Sequence, residues 1–180
     1  VGPGQAKGVN EQQPGERFDI AFVDNKTAPI SRTAAPTWAE LAQALAKPVR
    51  GSKDGLAWVP AKIPLGPRQD SLVQHVSLLV IDIEARTKGD QATGVKTVIG
   101  PEPPEPIELA DEVALCGWAG FIHTSYSHLD AAIMPPGRHP RYRLVLRLSR
   151  PLERGELRPL ALHVASRLGV LPCLDTSTLH

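Results

Sequence analysis

The stretch 75–83 (HVSLLVIDI) constrains the fold more than any other part of this 180-residue chain. In an extended segment, successive side chains point to opposite faces of the sheet. Here both faces carry apolar side chains, and a strand of that kind lies in the middle of its sheet rather than at an edge. The sequence therefore predicts a fold built around one central, largely buried β-strand.

This strand ends in an acidic pair, Asp82 and Glu84, whose side chains point to the same face. Burying two neighbouring carboxylates is costly unless a cation compensates them. Carboxylate oxygens are also the ligands that Mg²⁺ and Mn²⁺ prefer. The pair is a candidate metal site, and the alternative that it only caps or solvates the strand end stays open.

Three further stretches have the pattern of β-strands, at 17–23, 119–124 and 141–148. Two of them follow one another without a helix between them, which indicates a hairpin. A purely parallel sheet is therefore excluded. We expect an α+β fold in which helices pack on a mainly antiparallel sheet.

Three helices are predicted between these strands. Thr37 and Glu40 form a capping-box pattern that starts a short helix ending before Pro48. A second helix should run from Pro106 to about Gly117, and a third over 157–168, ended by Gly169. In the second helix we expect three residues to face inward: Ile107, Ala110 and Ala114. The segments 49–70 and 87–105 are expected to be irregular.

The composition excludes several classes of protein. With 42% apolar residues the chain can bury a core, so it is not wholly disordered. It lacks a run of 18 apolar residues, so we expect no membrane-spanning helix and no membrane partner. Its two cysteines are too few for a disulfide framework or a four-thiolate zinc site. Residues 1–16 are polar and resemble no signal peptide, which predicts a flexible or disordered N-terminus and a cytoplasmic location.

The charges are unevenly placed although 20 basic and 19 acidic residues nearly balance. Residues 138–167 contain eight arginines and two acidic residues. Arg141, Arg143 and Arg147 share one face of a predicted strand, so their positive charges must be compensated by negative groups. Because arginine suits bidentate phosphate contacts, a phosphate-bearing partner is favoured over a membrane. The helix arginines of this region, Arg154, Arg158 and Arg167, are better explained as a solvated face.

Two more polar residues follow the acidic pair in sequence. His128, in the segment TSYSH, lies between two predicted strands, where a histidine can bind a triphosphate or transfer a proton. Asp175 precedes two hydroxyl residues, which is the pattern of a turn or a helix cap as well as of a third acid. Alone, each signal is weak.

In order, this set resembles the motifs of the archaeo-eukaryotic primase superfamily, particularly the primase-polymerases of phages, plasmids and integrated elements. Asp82 and Glu84 match its acidic D-x-D/E motif, Ser127 and His128 match its Ser/His motif, and Asp175 matches its third acid. The segments that look most like the mobile-element branch are FIHTSYSH, RYRLVLRLSRPL and LDTSTLH. The resemblance covers roughly residues 17–180 and is clearest from 75 onward.

The resemblance implies a DNA-dependent primase or polymerase that makes primers on a single-stranded template during replication of a mobile element. It implies an RRM-like catalytic domain over 17–180. Because that branch continues with a further strand where this chain ends, we expect the domain to be truncated at its C-terminus. Asp82, Glu84 and Asp175 would be catalytic and would hold Mg²⁺ or Mn²⁺, as two ions.

The resemblance also implies the partners of such a site. Ser127, His128, Arg141 and Arg143 would bind the nucleoside triphosphate. Single-stranded DNA would be the template, and a replicative helicase is a further candidate partner. No covalent attachment to a side chain is needed in such a transfer.

Other functions stay open at this point. His75 and His123 both start an H-x-S/T pattern, as in two-histidine phosphoesterases that need no metal. An RRM-like module that binds nucleic acid without catalysis would need aromatic side chains displayed on its sheet, and the chain has only eight aromatic residues. A simple nuclease would use the same three acids and metal.

Overall fold

The computed structural model describes residues 15–47, 55–125, 128, 133–134 and 140–179. Within these ranges the fold is α+β, which confirms the predicted class. The predicted flexible N-terminus, residues 1–16, lies almost wholly outside the described residues.

The described elements are short, apart from two long strands and one long helix. The strands are β1 (Ile20–Val23), β2 (Ile30–Ala34), β3 (Ala57–Val59), β4 (Ala61–Lys62), β5 (His75–Glu84), β6 (Thr87–Gly89), β7 (Lys96–Val98), β8 (Gly120–Thr124), β9 (Ile133–Met134) and β10 (Arg141–Leu152). The helices are α1 (Trp38–Leu45), α2 (Pro106–Leu115) and α3 (Arg154–Arg167). No helix within the described ranges is both long and apolar enough to cross a membrane.

The central sheet has the strand order β4-β5-β10-β8. Since β5 and β8 both run antiparallel to β10, they are parallel to each other, and α2 connects them while β10 lies between. This is a split β-α-β unit. After β10, α3 returns the chain to β5, where Leu174 forms a single antiparallel bridge with Ile83. The connectivity is that of an RRM-like sheet in which the bridge at Leu174 takes the place of the fourth strand.

One face of this sheet is covered by α2 and α3 and forms the main core. The sheet contributes buried side chains from β5 and β10, and the helices contribute Leu109, Val113, Ala161, Val164 and Ala165. Tyr142 of β10 is fully buried, and its hydroxyl donates a hydrogen bond to the Pro104 carbonyl at 2.7 Å. A buried hydroxyl needs such a partner, so the loop before α2 is tied to the sheet.

Among the described residues, the opposite face is covered only in part. A smaller antiparallel sheet, in the order β2-β1-β3, lies there together with α1. Phe18, Ile20 and Leu41 of this N-terminal layer pack against Leu78 of β5 and Val145 of β10. These contacts bury the apolar part of the face, so the end of β5 that carries the acidic pair lies beyond them.

Local sequence signals explain where the helices begin and end. The Thr37 hydroxyl accepts the Glu40 backbone N–H at 3.3 Å, and the Glu40 carboxylate accepts the Thr37 N–H at 2.8 Å. The predicted capping box of α1 is therefore confirmed. After α3, Gly169 has a φ of +70°, a left-handed conformation that ends the helix as predicted.

The predicted inward face of α2 is wrong. Leu109 and Val113 are the buried residues of this helix, whereas Ile107 is 70% exposed and Ala110 and Ala114 are also exposed. The helix has two apolar stripes at suitable spacing, and its own sequence does not decide between them. The larger leucine and valine side chains bury more apolar area against the sheet, and burial of that area decides the orientation.

Two segments predicted to be irregular contain short strands. In 49–70, β3 pairs with β1 and β4 pairs with the start of β5. In 87–105, β6 and β7 form a hairpin, and β7 also pairs in parallel with β9. Strands of two or three residues depend on pairing with other strands, so no local hydrophobic pattern predicts them.

The close approach of β8 to β10 gives a stability prediction. A Cβ atom at Gly120 would lie 2.6 Å from a Leu146 methyl group and 3.1 Å from the Val145 carbonyl. Gly120→Ala should therefore lower the free energy of unfolding by about 1–3 kcal/mol, as overpacking does. Gly155→Ala in α3 is the matched control, since a Cβ there meets nothing within 4 Å. Urea denaturation of both variants tests this, and equal stability of the two would contradict it.

Candidate functional site

The candidate site lies at the C-terminal end of β5, on the sheet face opposite α2 and α3. Asp82 and Glu84 share this face with Leu78 and Val80, which pack under the N-terminal layer. The cross-strand register places Arg143 of β10 opposite Asp82 and Arg141 opposite Glu84. Because directly opposed residues of antiparallel strands project to the same side, the two acids and two arginines form one cluster.

Each acid of the pair is bound to the arginine opposite it. The Arg143 Nε donates to Asp82 Oδ1 at 2.6 Å, and the Arg141 guanidinium contacts Glu84 Oε2. The side chains of Asp82 and Glu84 are only 15% and 23% exposed. The compensating cation that a half-buried acidic pair requires is thus supplied by the neighbouring strand.

The third arginine of β10 has a different partner. Arg147 forms an ion pair with Glu16 of the N-terminal segment. It lies opposite Leu78, toward the start of β5, and so belongs to the border of the N-terminal layer. All three arginines of this strand face are therefore offset by carboxylates.

The structure brings Asp175 next to the acidic pair. Its backbone N–H donates to the Asp82 carbonyl at 3.0 Å, beside the single bridge between Leu174 and Ile83. Its carboxylate accepts the Ser177 N–H at 2.9 Å and caps a short 3₁₀ turn. Residues far apart in sequence thus place three carboxylates at one corner of the sheet, because the chain returns to β5 after α3.

The electrostatics of Glu84 reflect this crowding. Burial raises the pKa of the Glu84 carboxyl, and the negative charges of Asp175 and Asp82 raise this pKa further. The guanidinium of Arg141 acts in the opposite direction but does not cancel the rise. The charged form of Glu84 therefore costs free energy at this corner, and the site favours additional positive charge.

His128 lies at the same end of the sheet. Its backbone N–H donates to the Ser125 carbonyl at 3.2 Å, and its Nδ1 atom lies 3.1 Å from the backbone nitrogen of Arg141. The same Nδ1 atom lies 3.1 Å from the Arg141 carbonyl oxygen, so either tautomer of the ring finds a hydrogen-bond partner on this backbone. His128 is thus fixed on the backbone of a cluster arginine. Ser127, the other predicted residue of this motif, lies outside the described residues.

His123 is a site residue that sequence reasoning placed only in the rival phosphoesterase. It lies on β8 directly opposite Arg143, and its Nδ1 donates to the Thr124 carbonyl at 3.2 Å. Its Nε2 is buried and has no hydrogen-bond partner among the residues that the structure describes. Burial and the charge of Arg143 lower the pKa of His123, so the ring is neutral there. The sequence signal was its position in a strand, two residues after Phe121 of the covered face.

His75 is far from this cluster. It begins β5, seven positions before Asp82, which corresponds to about 23 Å at the usual rise of a strand. Its Nε2 lies 2.9 Å from the carboxylate of Asp19. His75 and His123 therefore do not converge on one substrate.

The donor chemistry of the corner suits divalent cations. Three carboxylates supply hard oxygen ligands, and the guanidiniums of Arg141 and Arg143 stand where positive charge is required. In the described ranges, no group of three acidic, histidine or cysteine side chains is already arranged around a common point for metal binding. The residues thus fit Mg²⁺ or Mn²⁺ by their chemical type and their proximity. In the structure, arginines already pair with two of the three carboxylates.

Comparisons of this chain with protein-family models, with curated proteins and with solved structures find no match. The resemblance to primase-polymerases therefore stays a prediction from the motif residues of the sequence.

The raised pKa of Glu84 and the lowered pKa of Glu156 predict that replacing each residue by Gln changes Tm in opposite directions. Since the folded protein raises this pKa, the charged carboxyl destabilises the fold above its pKa and not below it. Glu84→Gln should therefore raise Tm at pH 7.5, with the gain vanishing toward pH 4, where Glu84 itself is protonated.

Glu156, also bound to an arginine, is the control with the reverse sign. The hydrogen bonds from Arg150 lower the pKa of Glu156 to about 2, so its charge stabilises the fold at neutral pH. Glu156→Gln should lower Tm at pH 7.5, with the loss shrinking as the pH falls toward 2. Thermal melts of both variants across this range test the pair, and a lower Tm for Glu84→Gln at pH 7.5 would contradict the account.

Proposed function

We propose that this chain is the catalytic domain of a primase-polymerase, a metal-dependent nucleotidyltransferase. In this proposal it makes primers on a single-stranded DNA template during replication of a mobile element. The observation that carries the proposal is the convergence of Asp82, Glu84 and Asp175 at one corner of an RRM-like sheet. These three acids come from segments more than 90 residues apart in the chain.

The surroundings of the acids support a triphosphate as the substrate. Arg141 and Arg143 lie beside the carboxylates, and the imidazole of His128 is held on the Arg141 backbone. Guanidinium groups bind phosphate oxygens through two parallel hydrogen bonds, and an imidazole Nε2 is a further donor when it carries a proton. Negative carboxylates and positive donors thus lie side by side, as a metal-bound triphosphate requires.

The roles of the residues follow from this arrangement. Asp82, Glu84 and Asp175 would hold Mg²⁺ or Mn²⁺, which when bound supplies the positive charge that assists the attacking 3′-hydroxyl and the leaving pyrophosphate. Arg141, Arg143 and His128 would hold the phosphates of the incoming nucleotide in line for the transfer.

Two alternative functions lose support from the same geometry. An RRM-like binding module needs an open sheet face for base stacking, but here the N-terminal layer packs on that face around Leu78 and Val145. A two-histidine phosphoesterase needs its histidines close together, and the position of His75 at the other end of β5 prevents this.

The proposal predicts that Asp82→Asn abolishes primer synthesis. The substitution removes one negative charge from the metal ligands while keeping the size of the side chain. We expect the loss to exceed roughly 100-fold with either Mg²⁺ or Mn²⁺, since a ligand of the reacting metal is lost. The assay follows incorporation of labelled nucleotide on single-stranded DNA.

Asp70→Asn is the matched control, since Asp70 is an exposed acid paired with Arg154 just before β5 begins. It should retain full synthesis. Full activity of Asp82→Asn would refute the assignment. DNA that is shortened rather than extended by the unmodified protein, with no nucleotide consumed, would show a nuclease instead.

A second prediction concerns His128. If its imidazole donates to the triphosphate, His128→Ala should weaken nucleotide binding roughly tenfold, the equivalent of about 1.4 kcal/mol for one hydrogen bond to a charged group. His163→Ala on the exposed side of α3 serves as the control and should bind normally. Binding of a fluorescent triphosphate in the presence of Mn²⁺ measures both, and equal affinities would remove His128 from the site.

A further inference from the structure

The carboxylates that would bind metal are not free in the resting protein. Arg143 holds Asp82 through a 2.6 Å hydrogen bond, and Arg141 holds Glu84. The same two arginines are the groups proposed to hold the triphosphate. Each of them therefore has two competing partners, one within the protein and one on the substrate.

The geometry allows the arginines to move without disturbing the core. The side chain of Arg143 is 40% exposed and that of Arg141 is 30% exposed, whereas Asp82 lies deeper at 15%. The backbones of these residues are fixed by the ladder between β5 and β10. Only the long, flexible ends of the arginine side chains need to turn toward solvent, where they meet an incoming anion.

Charge balance links the binding of metal by the carboxylates to the binding of triphosphate by the arginines. A divalent ion that joins the carboxylates displaces positive guanidiniums, which then lack a counter-charge. A triphosphate that draws the guanidiniums away leaves half-buried carboxylates unpaired, which is costly. Two divalent ions and one triphosphate carry nearly equal and opposite charges, so together they leave the net charge of the corner almost unchanged.

We propose that Arg141 and Arg143 act as exchangeable counter-ions that keep the acidic pair closed to metal until a triphosphate takes the arginines away. Metal and nucleotide then bind with positive coupling, each raising the affinity for the other. This inference rests on the proposed nucleotidyl-transfer site and adds the way in which that site is regulated. Without substrate, the site stays in its arginine-closed form.

The test is the response of Arg143→Ala in two binding measurements. Removing the guanidinium frees Asp82, so the variant should bind Mn²⁺ alone roughly tenfold more tightly than the unmodified protein, measured by the EPR signal of free Mn²⁺. It should also bind a fluorescent triphosphate more weakly, since a phosphate partner is gone. A merely structural role would not move the two affinities in opposite directions.

Arg147→Ala is the matched control, because Arg147 lies on the same strand face but pairs with Glu16. It should change neither affinity. Should Arg143→Ala fail to fold by circular dichroism, Arg143→Gln replaces it, since the amide keeps a hydrogen-bonding end. Tighter Mn²⁺ binding with weaker triphosphate binding supports the exchange, and any other combination in a folded variant overturns it.

The same measurements separate this inference from the proposed function. If the unmodified protein makes primers but Arg143→Ala binds Mn²⁺ no more tightly, the counter-ion exchange alone is refuted. If Arg143→Ala binds Mn²⁺ more tightly and the triphosphate more weakly but the unmodified protein makes no primers, the exchange stands and the primase assignment fails.

Discussion

The antiparallel register between β5 and β10 determines both arginine–carboxylate contacts at the candidate site. Side chains alternate along a strand, so a slip of one residue would turn Asp82 toward the helices and its apolar neighbours toward solvent. Val145, buried under the N-terminal layer, and its partly buried partner Val80 fix the register further along the same strands. Burial of apolar area in the middle of the sheet thus positions Arg143 opposite Asp82 at its end.

The N-terminal layer, built from β1, β2, β3 and α1, determines which residues surround the acidic pair. It covers the apolar part of the sheet face and leaves the acids, the arginines and His123 together at the border. Trp58 of β3 lies there, with its ring centroid 6.5 Å from that of His123. A polar corner bounded by apolar side chains strengthens electrostatic interactions relative to bulk water, which suits binding of a highly charged substrate.

Strong local signals were readable from the sequence, and contacts between distant segments were not. The two-faced pattern of β5 and the capping box at Thr37 predicted their elements, since both depend on neighbouring residues alone. The inward face of α2 was predicted wrongly, because Ile107 and Leu109 are equally apolar and only tertiary packing separates them. Pairing of the arginines with the acidic pair depends on a register that no single strand encodes. His123 was missed as a cluster member for the same reason.

The most direct test of the central proposal is the position of bound Mn²⁺ in crystals grown with a non-hydrolysable nucleoside triphosphate. Anomalous scattering at the manganese edge locates the ions independently of the protein map. We predict manganese among the carboxylates of Asp82, Glu84 and Asp175, with Arg141 and Arg143 turned onto the phosphates. Manganese bound elsewhere, with both arginines still on their carboxylates, would contradict the proposal.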